Sequence, residues 1–109
     1  MHIDFLERWF SARCDGDWEQ TRGVTITTLD NPGWLVTIDL AAPPQRAAPP
    51  HRVLARRGDP PTAENGNLGG PDWMICELIN GQFKGAGDPL KLGLILETFR
   101  QFVSTPLEP

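Results

Sequence analysis

The sequence predicts an α+β protein of two layers, in which an antiparallel sheet of four to five strands is packed by an N-terminal and a C-terminal helix. Three observations carry this expectation. The chain opens and closes on segments with the 3–4 apolar spacing of an amphipathic helix. Between them lie short runs rich in Val, Ile, Thr and Trp, which suit a pleated, half-buried surface. Short turns of Asn, Asp, Pro and Gly join neighbouring runs, and connections that short demand antiparallel pairing. At 109 residues the chain is read as one domain, 1–109, long enough to bury a single core.

Residues 3–13 are the first helix. Ile3, Leu6, Trp9, Phe10 and Arg13 share a face, while Asp4, Glu7 and Arg8 point to water. Cys14-Asp15-Gly16-Asp17 stops it, because glycine accepts a left-handed backbone and aspartate favours turns. Residues 23–29 and 34–41 then form a hairpin around Asp30-Asn31-Pro32-Gly33, with Trp34, Val36, Ile38 and Leu40 on one face of the second strand. Residues 42–50 hold four prolines and cannot form a central strand, so they are an exposed loop or a polyproline-like spacer. His51 to Arg57 reads as an edge strand blunted by Arg52, Arg56 and Arg57. A second Pro/Gly-rich loop covers 58–71. Residues 72–79 are the next strand, Asn80-Gly81 a tight hairpin turn, and 82–84 a short return closed by Gly85-Ala86-Gly87. Asp88 as N-cap and Pro89 at the first helical position open the last helix. Its apolar face is Leu92, Ile95, Leu96, Phe99, Phe102 and Val103, and Pro106 ends it.

Composition narrows the function classes. The net charge is −4 and the pI about 5.0, without the cation excess that phosphate contacts require, so no nucleic-acid partner is expected. No apolar run approaches the roughly 18–20 residues of a membrane helix, and the N-terminus has no basic leader pattern. A cytoplasmic location follows as an expectation. Cys14 and Cys76 allow one bridge, and a reducing compartment favours two free, buried thiols instead.

The stretch CDGDWEQ, 14–20, gathers three carboxylates, a thiol and an indole. As a metal site, Asp15, Asp17 and Glu19 only faintly follow a calcium loop, since the glycine after the third ligand and the closing glutamate are absent. As a nucleophile, Cys14 sits at a helix C-terminus beside two aspartates, which raises a thiol pKa rather than lowering it. Gly85-Ala86-Gly87 before a helix could hold an anion, but Asp88 occupies the cap and a tight strand-to-helix turn explains the glycines. No catalytic residue, metal ligand or cofactor is therefore assigned. Trp9 is a core residue. Trp18, Trp34 and Trp73 lie at element ends, where an indole packs on one side and donates its N–H on the other. Trp18 and Trp34, beside acids and turns, are candidate anchors of a protein interface.

Four stretches together carry a resemblance: W-F-x-x-R-C-D-G-D-W-E-Q, T-L-D-N-P-G-W-x-V-x-I-D-L, the D-W-x-x-C strand, and F-K-G-A-G-D-P before the terminal helix. In this order they resemble the immunity protein 53 family, over nearly the whole chain except 42–71. The resemblance implies a small cytoplasmic, non-enzymatic protein of a bacterial polymorphic toxin system that neutralises a cognate toxin by binding it. On that reading Asp15, Asp17, Glu19 and Asp30 face the toxin, with Trp18 and Trp34 as anchors, and a nuclease with a basic cleft would suit them. Two alternatives stay open. Asp-Gly-Asp and Asp-Asn-Pro-Gly are also turn formers whose side chains bond to backbone N–H groups, and the acidic loop could serve a small metal- or ligand-binding domain or enzyme. The sequence does not fix the oligomeric state.

Overall fold

The computed structural model describes residues 2–40, 51–62 and 70–104. Helix α1 runs His2–Arg13 and a single turn, α2, Trp18–Thr21. Five strands follow: β1 Val24–Leu29, β2 Gly33–Asp39, β3 Arg52–Arg57, β4 Met74–Ile79 and β5 Gln82–Gly87. Helix α3, Leu92–Ser104, closes the described chain. The fold is the predicted α+β arrangement, with one five-stranded sheet in the order β1-β2-β5-β4-β3 and every neighbouring pair antiparallel.

That order follows from two hairpins zipped side by side. β1–β2 turns at Asp30 to Pro32, and β4–β5 turns at Asn80-Gly81, where Asn80 (φ 54°) and Gly81 (φ 78°) take the positive φ that a tight turn of this kind requires. The second strand of each hairpin pairs with the other, placing β2 and β5 inside. Alternation then gives the sheet an apolar face: Val36 and Ile38 from β2, Met74 and Cys76 from β4, and Phe83 from β5. Leu6 of α1 and Ile95, Leu96 and Phe99 of α3 close over it. Phe99 is the hub, with ring centroids 5.2 Å from Phe83, 5.0 Å from Trp9 and 6.3 Å from Phe5, all near edge-to-face. Each of the large apolar side chains so buried contributes about 2 kcal/mol through area removed from water.

Several boundaries differ from the sequence reading. β5 continues through Gly85-Ala86-Gly87 instead of ending before them. Gly85 faces α3, and a Cβ there would sit 2.5 Å from Ile95 Cγ2. The glycines therefore serve close helix-on-sheet packing rather than a closing turn. β4 starts at Met74 and not at residue 72. α3 starts at Leu92, after a turn in which Lys91 N donates to Asp88 O at 3.0 Å, and its first helical bond is Ile95 N to Lys91 O at 2.8 Å. Pro89 thus lies before the helix rather than at its first position. The one-turn α2 was not expected. Both cysteines are free, but Cys14 is exposed instead of buried, while Cys76 is in the core. Cys14 lies one residue beyond α1, where its Sγ donates to Phe10 O at 3.3 Å. The loop expected at 42–50, residues 63–69 of the second loop, and Pro106 lie outside the described residues.

Candidate functional site

The acidic turn is organised by its own backbone. Asp15 Oδ1 accepts the amides of Asp17 and Trp18, both at 2.9 Å. Glu19 reaches back, one carboxylate oxygen accepting Asp15 N and the other Gly16 N, again at 2.9 Å. The two carboxylates thus satisfy four amides, a reciprocal arrangement of the capping-box kind that starts α2. Gly16, at φ 98°, makes the reversal that lets them face each other. The amides of Trp18 and then Asp17 hold the Asp15 carboxyl below its ordinary range. The Cys14 thiol moves the other way, raised by desolvation at the end of α1 and then by Glu19 and Asp15, so it is not an activated nucleophile.

Trp18 fixes this turn to the domain. It is only 7% exposed. Its ring lies 5.9 Å from Trp9 and 5.8 Å from Phe10, and its indole N–H donates to Leu40 O at 3.0 Å. The indole thus packs on one side and donates its N–H on the other, as the sequence reading expected, and it is not an exposed side chain in the free protein. Asp15 and Asp17 remain at the surface and Glu19 is half-buried.

Asp30 and Trp34 stand elsewhere. The turn carrying the acids adjoins the Leu40 end of β2, whereas Trp34 pairs with Thr28 and Gly87 at the opposite end. The six residues of β1 lie between the two groups, roughly 20 Å at the rise of a strand. The six candidate residues are therefore two groups, not one surface patch. Asp30 is exposed and Trp34 half-buried, its indole N–H donating to Pro89 O at 2.9 Å.

At that second end the structure builds a polar cluster that the sequence reading missed. Asp88 is 4% exposed. Its Oδ2 accepts Trp73 N at 2.9 Å and the Lys91 ammonium at 2.7 Å, and its Oδ1 accepts Leu90 N at 2.9 Å. Lys91 also pairs with Asp72 at 2.5 Å, and Arg57 reaches the same carboxylate at 3.1 Å. Burial works to raise the Asp88 pKa, but Lys91 and the two amides outweigh it and hold the carboxyl below its ordinary value. Lys91 and then Arg57 depress Asp72, and Asp72 and Asp88 raise Lys91. The backbone closes tightly here: a Cβ on Gly33 would lie 2.3 Å from Gly87 O. Three of the four sequence motifs, those containing Asn31-Pro32-Gly33-Trp34, Asp72-Trp73 and Gly87-Asp88-Pro89, thus meet at one place. The available signal was the i,i+3 spacing of Asp88 and Lys91, which reads as a turn-and-pair unit once Asp88 is not forced to be a helix cap.

Among the described residues no group of three or more His, Cys, Asp or Glu side chains is disposed to hold a metal ion, and no helix is long and apolar enough to cross a membrane. The buried Cys76 thiol is pushed up to about 12, chiefly by desolvation, which makes it an inert core group. Fold and surfaces together define a small α+β protein in which Asp15 and Glu19 bind backbone amides and Asp72 and Asp88 bind basic side chains. The family model described as immunity protein 53 matches residues 3–104, and the chain belongs to that family. Comparison with the curated proteins and with the solved structures gave no match.

Proposed function

We propose that this protein acts in the cytoplasm of a bacterial cell as an immunity protein, binding a cognate polymorphic-toxin domain and occluding its active site without catalysing a reaction itself. The observation that carries the reading is the family match across residues 3–104. The geometry of the acidic turn supports it. Asp15 and Glu19 are held by four backbone amides, so the negative turn is preformed and little side-chain entropy is lost when a partner arrives. Asp15, Asp17 and Glu19 form one proposed contact and Asp30 with Trp34 a second, with Trp18 holding the first in place from within. A basic cleft, such as that of a nuclease, complements such a surface, which would speed encounter and repel the nucleic-acid substrate.

The test is co-purification of the tagged protein with products of its neighbouring genes, read by mass spectrometry and by size-exclusion chromatography with light scattering. A stoichiometric complex with a toxin domain is the expected result. A protein that captures no such partner and instead retains a metal or small molecule would replace this reading with a ligand-binding one.

A further inference from the structure

The two edges of the sheet are built differently. β3 carries Arg52, Arg56 and Arg57, and its pairing with β4 shifts register between Val53 and Ala55. Charges and a bulge are the devices that keep an edge from accepting another strand. β1 has neither. Its sequence VTITTL holds no charge, proline or glycine, and its register with β2 is unbroken from Val24 to Leu29. Among the described residues no strand pairs on its outer side. Asp39 N donates to Gly23 O at 3.0 Å, which sets the phase of the ladder. Alternation then directs the amide and carbonyl groups of Val24, Ile26 and Thr28 away from β2, towards the open side.

An apolar groove of about 270 Å³ lies beside this edge, lined by Ile3, Leu6, Glu7 and Phe10 of α1 and Val24 of β1. Ile3 is 46% exposed and Phe10 and Ile26 each 37%, so apolar surface flanks both groove and strand. The volume lies at the low end of ligand-site volumes, and the groove has room for one large apolar side chain. The surrounding charge selects the occupant. Glu7 lies in the groove wall, Asp15 and Asp17 flank one end of the edge, Asp30 flanks the other, and Arg22 is the one basic residue between Asp15 and Asp30. A second copy of this chain, paired antiparallel edge to edge, would bring Asp30 of each protomer towards the acidic turn of its partner. An extended segment flanked by lysine or arginine meets no such repulsion and gains complementary charge.

We propose that β1 is the docking edge for the toxin. A basic-flanked extended segment of the toxin adds beside β1 through the outward groups of Val24, Ile26 and Thr28, and one of its apolar side chains fills the α1–β1 groove. This rests on the toxin-binding reading and names the surface and the chemistry that reading leaves open.

The experiment is calorimetric titration of the toxin domain encoded beside the gene into the wild-type protein, Ile26→Lys, Thr28→Pro and, on the opposite edge, Val53→Lys. Melting curves check that each variant folds. Hydrogen exchange is followed in the wild-type complex. Thr28 N–H faces outward, so proline there removes no ladder bond within the sheet. Should Thr28→Pro nonetheless fail to fold, Ile26→Lys, at an exposed side chain, retains the test. The expected result is affinity at least about tenfold weaker for Ile26→Lys and Thr28→Pro, as for central interface residues. Val53→Lys should bind as wild type, and the outward amides of Val24, Ile26 and Thr28 should be protected only in the complex. Unchanged affinities without added protection at those three amides, with wild type still binding, would overturn the edge proposal and leave toxin binding standing. No binding by wild type would overturn the toxin-binding reading and this inference with it. A wild-type dimer abolished by Thr28→Pro would assign the edge to a second copy and overturn the toxin as its occupant.

Discussion

The acidic turn beside Leu40 and the Asp88 cluster at the Gly87 end both carry carboxylates, and they use them in opposite ways. At the Leu40 end, Asp15 and Glu19 bond to amides no more than four residues away, at the surface. At the Gly87 end, Asp88 is buried and ties Trp73, fifteen residues back and just before β4, to the approach of α3 through Leu90 and Lys91. A local, solvated carboxylate shapes a loop and leaves its charge available to a partner. A buried carboxylate holding distant segments is part of the fold. The difference teaches that residue type alone does not set a carboxylate's role; the reach of its hydrogen bonds separates a loop former from a tie within the fold.

The largest effect that would sharpen this contrast is expected at the buried end. Asp88→Ala removes the acceptor of Trp73 N and Leu90 N and one partner of Lys91, and should cost about 3 kcal/mol in urea unfolding. Gly33→Ala should follow at about 2–3 kcal/mol, because its Cβ meets the backbone oxygen of Gly87 rather than a movable side chain. At the acidic turn, Gly16→Ala should cost only about 1 kcal/mol, since nothing lies within 4 Å and the penalty is the positive φ alone. Asp15→Ala should cost about 1 kcal/mol, the usual loss for a capping side chain. A loss at Asp15 as large as that at Asp88 would break the comparison.

Acidity offers a finer probe of the same contrast. Asp88 and Asp72 both have pKa values depressed in the fold. The stability they contribute is in place above the unfolded value of about 4 and is lost as pH falls through their lowered values. Lys91 is raised, so its contribution is in place below its unfolded value of about 10.4 and is lost as pH rises through the raised one. The urea midpoint measured below about pH 4 should therefore fall less steeply for Asp88→Asn than for the wild-type protein. Parallel acid limbs for the two would show that Asp88 is not held as described. The smallest stability effect is expected for Asp17→Asn, an exposed side chain, within about 0.5 kcal/mol of wild type.

Much of the fold was legible because its signals are local. The apolar spacing of Leu92, Ile95, Leu96 and Phe99 announced α3, Asn80-Gly81 announced the β4–β5 turn, and the alternation of Trp34, Val36, Ile38 and Leu40 announced β2. What failed to show was decided by contacts distant in sequence. The glycines at 85 and 87 look like a turn until α3 is laid over them, where Ile95 and Lys91 leave no room for a Cβ. Asp88 before Pro89 looks like a helix cap until Trp73, just before β4, is brought to it. How deeply Trp18 is enclosed shows only once Trp9, Phe10 and Leu40 are brought around it. The acids at 15–19 suit both a turn and a surface, and the structure gives Asp15 and Glu19 the turn-forming bonds while leaving Asp15 and Asp17 exposed.

The most direct test of the central claim, neutralisation by binding, is growth of a bacterial host that expresses the toxin domain encoded beside the gene, with and without this protein. The account predicts that the wild-type protein restores growth. It also predicts that the double variant Asp17→Arg, Asp30→Arg, folded and expressed to the same level, restores it less. Persistent growth arrest in the presence of abundant, folded wild-type protein would contradict it.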